Sequence, residues 1–168
     1  MLKKSAGLLM YRYRGSRLQI MLVHPGGPFW ARKDEGAWSV PKGEFNDAEV
    51  GLDAAIREFS EETGVIPVGP FEPLGSMKQP SGKIVTVWAF RGDWDPETLH
   101  SNTFELEWPR GSGIKREFPE VDRAAWFDVA DARSKILPGQ VKFIDEIVER
   151  VSMTSSVSSS ALGQRSLF

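Results

Sequence analysis

Residues 43–65 carry seven acids, Glu44, Asp47, Glu49, Asp53, Glu58, Glu61 and Glu62, against a single base, Arg57. Leu52, Ala55, Ile56 and Phe59 recur there at i, i+3, i+4 and i+7, the period of an amphipathic helix. The spacing predicts a helix over about 48–63, with Gly64 standing where a C-cap belongs. Glu58, Glu61 and Glu62 are three and four apart, so their carboxylates share one face while the apolar stripe docks to a core. Like charges so placed repel and weaken a helix. Cations among them would offset that cost, and oxygen-only ligation selects hard ions, Mg²⁺ or Mn²⁺.

The rest of the chain is mildly basic. No acid precedes Asp34, whereas Lys3, Lys4, Arg12, Arg14, Arg17, Arg32 and Lys33 do. An acidic block in such a frame suits a metal site beside an anionic ligand. A solvated acidic helix face is the plain alternative.

Composition removes other chemistries. The 168 residues suffice for one domain with a real core. There is no Cys, which excludes disulfides, thiolate metal sites and a cysteine nucleophile, and His24 and His100 show no ligand spacing. They read as structural or solvent-facing. No G-x-S-x-G or Walker loop occurs. The apolar run Ala6–Tyr11 is too short for a signal sequence, and no stretch approaches the roughly 20 apolar residues of a membrane span. The expected location is cytoplasmic, without membrane contact.

Along the chain, residues 5–14 and 18–24 read as a hairpin around Arg14-Gly15-Ser16, and Trp38-Ser39-Val40 as a short strand ended by Pro41. Strands return at about 72–79 and 83–91. Residues 92–122 read as polar and irregular, and 124–127 as a last strand. Helices are expected at about 129–136 and 139–151. Strands and helices thus mix in a single α/β domain over 1–152, followed by a Ser-rich stretch, 153–168, expected to be flexible.

Two further residues bear on the acidic helix. Arg57 and Glu49 are eight apart, yet they can meet if Glu49 folds back from the preceding loop, bracing loop against helix. Gly43, after Pro41-Lys42, permits a turn and close backbone approach, and offers its carbonyl as a further metal ligand.

Gly43-x5-Glu49-x7-Arg57-Glu58-Phe59-x-Glu61-Glu62-x-Gly64-Val65 resembles the 23-residue signature of the Nudix hydrolases at every defined position. Phe59 stands where that family more often has an aliphatic residue. The order of elements over about 5–150 is similar too. The resemblance implies an α/β/α sandwich around a mixed sheet, and Mg²⁺- or Mn²⁺-dependent cleavage of a phosphoanhydride bond in a nucleoside diphosphate-linked substrate. It implies catalytic roles for Glu61, Glu58 and Glu62, with Arg57 and Glu49 orienting helix and loop. Gly43, Glu58, Glu61 and Glu62 would be the metal ligands. One of these carboxylates, or one outside the signature, would activate the attacking water. Glu120 is the outside candidate for the metal, an ordinary surface acid being the alternative.

Substrate markers diverge. Trp38-Ser-Val-Pro41-Lys42-Gly43 resembles the W-x-x-P-K-G lead-in of diadenosine polyphosphate hydrolases, but Tyr11 and Tyr13 are the only tyrosines and both precede the signature. Pro80, 15 residues after Val65, resembles a marker of ADP-ribose hydrolases and equally suits a turn. Lys42, Arg32 and Lys33 suit a polyphosphate, and Trp30 in its Gly/Pro-rich loop suits a base. Arg110, Lys115 and Arg116 flank a second candidate phosphate loop, read more simply as solvent loop. The expected partner is a small nucleotide, the favoured one a dinucleoside polyphosphate. ADP-ribose, oxidised nucleoside triphosphates and a non-catalytic nucleotide-binding module remain as alternatives. A nucleic acid is not expected at a sequence pI near 5.8, and either a monomer or a homodimer is compatible.

Overall fold

A computed structural model describes residues 3–165, with side chains through Thr154. Its six-stranded sheet contains β1 (Lys4–Arg14), β2 (Arg17–Pro25), β3 (Lys42–Phe45), β4 (Glu72–Lys78), β5 (Ile84–Arg91) and β8 (Val121–Asp128). The main order is β4-β5-β1-β2-β8, and β3 also pairs with β1. Strands β1 and β5 are parallel while the other pairs are antiparallel, so the sheet is mixed.

Alternation along the strands divides the core into two layers. On one face Leu9, Ile20, Leu22, Val85 and Val87 pack with Phe143, Ile144 and Ile147 of α3 (Val141–Arg165), and with Ala132 of α2 (Val129–Lys135). On the other, Ala6, Leu8, Met10, Met21 and Val23 pack with Ala54, Ala55 and Phe59 of α1 (Gly51–Thr63). Strand β1 is buried on both faces, which is why its middle reads as an unbroken apolar run rather than an alternation. The architecture is an α/β/α sandwich.

Several boundaries differ from the sequence expectation. The short strand lies at 42–45 instead of 38–40, where Trp38 and Ser39 form only isolated bridges. Pro41 has no N–H to donate to a ladder, and the free edge available is the first half of β1, where Lys4 to Gly7 oppose Phe45 to Lys42. Helix α1 starts at Gly51 rather than near 48 because Asn46 folds the chain first. Its side-chain oxygen accepts the Ala48 N–H at 2.9 Å and its carbonyl accepts that of Glu49 at 3.2 Å.

The segment read as irregular contains a hairpin, β6 (Thr103–Glu107) with β7 (Lys115–Pro119). Its charged residues face water and only Phe104, Leu106, Phe118 and Pro119 are partly buried, too few to register as strand periodicity. Finally, α3 is helical to Arg165, past the expected end near 151. The last part of the Ser-rich stretch, 166–168, lies outside the described residues. Among the described residues no helix is long and apolar enough to cross a membrane.

Candidate active site

Helix α1 lays Phe59 into the core, and its opposite side carries the acids toward β3 and β8. Arg57 and Glu49 meet as expected. The guanidinium donates Nε and Nη2 to the two Glu49 oxygens at 2.9 Å each, the two-pronged geometry that only arginine offers a carboxylate. Nη1 also donates to Glu58 at 2.8 Å and to both Glu61 oxygens at 3.3 Å. One cation thus fixes the loop and spaces two of the acids. The carboxylate of Glu49 is held below its ordinary pKa chiefly by the Arg57 hydrogen bonds.

Glu58 is buried and lies against the backbone of Gly43, where a Cβ would overlap its carboxylate. Glycine at 43 is therefore a steric requirement of the site. Burial raises the Glu58 pKa, opposed by Arg57 and reinforced by Glu61 and Glu120. Glu62 is pushed up to about 8, first by desolvation and then by the Glu58 charge, although its Oε2 accepts the Lys42 backbone N–H at 3.2 Å. Glu120, at the turn into β8, is raised by desolvation and by Glu61. Four carboxylates from two parts of the chain therefore feel one another in a partly dehydrated space.

Beside them opens a pocket of about 190 Å³. Its polar lining is Lys42, Glu62, Glu120 and Ser39, and its apolar lining includes Trp30, Val40 and Leu137. The Lys42 amine forms no hydrogen bond or ion pair to another described side chain. Desolvation, then the Lys83 charge, lower its pKa. Trp30, Lys42 and Glu120, singled out separately in the sequence, are thus brought together. Arg32 and Lys33 are exposed and line no part of this pocket. The Lys33 amine sits over the Trp30 ring, 4.8 Å from its centre.

The apolar walls had no signal in the sequence, since Val23, Val40, Val121 and Leu137 look like ordinary core residues and meet only through the fold. His24, read as structural or solvent-facing, is fully buried. Arg110, Lys115 and Arg116 are exposed on the β6–β7 hairpin.

The donor set fits a hard divalent ion: all oxygen, crowded, and short of positive charge. Among the described residues the acids do not converge into a closed three-ligand cage, and Arg57 bridges Glu58 and Glu61 instead.

A family model described as the NUDIX domain matches residues 1–147. The chain belongs to the Nudix family. It is a Nudix-type hydrolase, and solved structures agree in fold. The Nudix domain of Shewanella oneidensis NrtR, complexed with ADP-ribose, is 16% identical over 90% of this chain and 89% of that one, with a TM-score of 0.62. A Caenorhabditis elegans Ap4A hydrolase in a binary complex is 20% identical over 90% and 98%, with a TM-score of 0.61. A mutT/nudix family protein from Listeria innocua is 18% identical over 92% and 97%, with a TM-score of 0.62.

Proposed function

We propose that this Nudix protein is a Mg²⁺- or Mn²⁺-dependent pyrophosphohydrolase of a small nucleoside diphosphate-linked substrate, with a dinucleoside polyphosphate as the first candidate. The observation that carries the reading is the group of Glu58, Glu61, Glu62 and Glu120 beside a pocket lined by Lys42. Acids alone would suit only cations, and an amine with an aromatic wall alone would suit a simple binder. Together they suit a phosphate chain that reaches the protein with its own counter-ions.

In this reading Glu58, Glu61, Glu62 and Glu120 hold the metal, with the Gly43 carbonyl as a further ligand. A bound Mg²⁺ or Mn²⁺ supplies neutralisation of phosphate oxygens and acidification of a coordinated water. Lys42 pairs with a phosphate, and Trp30 bounds the nucleotide end of the pocket, with Arg32 and Lys33 on the outer approach. Arg57 and Glu49 keep α1 and the preceding loop in register. Burial favours the protonated form of Glu62 while no cation is present, and a bound divalent ion would favour the charged form that ligation requires. The protein is proposed to act in the cytoplasm on free nucleotides rather than on nucleic acid.

A substrate panel in Mg²⁺ and in Mn²⁺ tests this: diadenosine polyphosphates, ADP-ribose, normal and oxidised nucleoside triphosphates, and capped RNA, with products identified and Glu61→Gln as control. The expected result is metal-dependent turnover of a diadenosine polyphosphate that the substitution abolishes. Preference for ADP-ribose would move the substrate assignment to the Pro80 marker. Nucleotide binding with no turnover of any substrate would favour a binding module.

A further inference from the structure

His24 ends the apolar run of β2 with no exposed surface, and both of its ring nitrogens are engaged. Nε2 lies 2.6 Å from the Lys33 carbonyl. A carbonyl only accepts, so Nε2 carries the hydrogen and donates it. Nδ1 lies 2.8 Å from Asp122 Oδ1 on β8. The ring edge packs on Trp38, with centroids 5.2 Å apart.

The contact with Lys33 falls at a particular place. The Lys33 N–H donates to the Trp30 carbonyl at 2.9 Å, closing a tight turn, and the Lys33 amine caps the Trp30 ring. Phe29, Arg32, Lys33 and Asp34 in this loop are exposed, so it has little apolar burial of its own to fix it. From outside, Phe104 of the β6–β7 hairpin lies against Gly27, and Trp108 meets Phe29 edge-on at 5.4 Å. From inside, the buried imidazole holds the turn that aims Trp30 into the pocket.

We infer that His24 is a positioning residue. Through the Lys33 carbonyl it sets the conformation of the 30–33 turn, and so the place of the Trp30 wall against which the nucleotide end of the substrate lies. Its effect on catalysis rests on the pyrophosphohydrolase reading above, whereas its effect on Trp30 does not.

Two near-isosteric changes separate the contacts. In His24→Gln the amide nitrogen takes the place of Nε2 and keeps a donor for Lys33. In His24→Asn it takes the place of Nδ1, keeping Asp122 and losing Lys33. The indole N–H resonances of ¹⁵N-labelled protein provide the readout, with Trp30 assigned by Trp30→Phe. His24→Asn is expected to displace or broaden the Trp30 signal while Trp88, Trp94 and Trp126 stay in place, and His24→Gln to leave Trp30 where it is. With Mg²⁺ and diadenosine tetraphosphate, KM should rise about fivefold in His24→Asn, the scale of one net hydrogen bond. It should return in His24→Gln, with kcat within about twofold throughout.

An unmoved Trp30 signal in folded His24→Asn, or equal displacement in both variants, overturns the proposal. So does a kcat loss at constant KM. Should His24→Asn not fold, Asp122→Ala decides. It removes the carboxylate that Nδ1 and Arg123 share and leaves the Lys33 contact intact, so Trp30 must stay in place, and displacement there overturns the inference. Absence of turnover in the wild type would overturn the proposed function alone, because the indole spectrum reports positioning without any substrate.

Discussion

Asn102 donates its backbone N–H to the carbonyl of Glu61 at 2.8 Å, joining the end of α1 to a segment that no element of the sheet contains. The Asn102 carbonyl in turn accepts the Glu120 N–H at 2.8 Å, and the Glu120 carbonyl accepts that of Gly26 at 3.0 Å. Main-chain bonds thus set the spacing between helical acids and the acid from outside the helix. Asn102→Pro removes the donor at the centre of this series, whereas Asn102→Ala retains it. The proline variant is expected to lose at least tenfold in kcat and about 1 kcal/mol or more of stability. The alanine variant should stay near wild type, as steady-state kinetics and thermal melts will show.

Glu61→Gln and Glu62→Gln keep shape and remove charge. Each is expected to lower turnover by orders of magnitude with the circular dichroism spectrum unchanged. Near-wild-type turnover in both would falsify the assignment of the site.

The elevated Glu62 also has a signature in stability. A carboxyl raised from 4.5 to about 8 on folding keeps its proton longer in the native state. The folded protein then binds more protons across that interval, and its stability falls as pH rises through it. In chelator, the melting temperature is expected to decline between about pH 5 and 8, and Glu62→Gln to flatten the decline. Added Mg²⁺ should flatten it as well, since an ion beside Glu62 favours the charged form. An identical slope in chelator and in Mg²⁺ would argue against Glu62 as a ligand.

Arg57→Lys retains a positive charge and loses the fork that spans both Glu49 oxygens. The expected outcome is a ten- to hundredfold loss of kcat, with Mn²⁺ affinity by calorimetry weakened because Glu58 and Glu61 lose their spacer. Glu49→Gln, leaving Arg57 in contact with the other two acids, should cost less.

Gly43→Ala puts a methyl group where the Glu58 carboxylate rests. Glu58 must move, so Mn²⁺ affinity and kcat should fall together while KM changes little. A variant with full Mn²⁺ affinity would show that Glu58 does not need this seat.

How far the sequence carries the structure depends on where each feature gets its information. Glu49, Arg57 and the three helical acids are local, so spacing suffices to find them and to suggest that Glu49 and Arg57 can meet, while the two-pronged geometry of that pair comes from the fold. Trp30, Lys42 and Glu120 lie up to 90 residues apart, and residue type with local sequence context suggested each as a separate candidate. Their meeting in one pocket needed the fold. His24 carried no visible signal, because a histidine that closes an apolar strand looks alike whether it is idle or bonded at both nitrogens. The β6–β7 hairpin escaped for another reason. A strand pair that buries little has little apolar alternation to reveal it.

The pocket opens where the two core layers meet. Trp30, Ala37 and Val40 belong to the layer of α2 and α3, whereas Glu58, Glu61 and Glu62 hang from a helix seated in the other layer. Mutations in separate, non-touching regions combine nearly additively. A change at Trp30, Ala37 or Val40 therefore reshapes one wall of the pocket and leaves the seat of the acidic helix as it was.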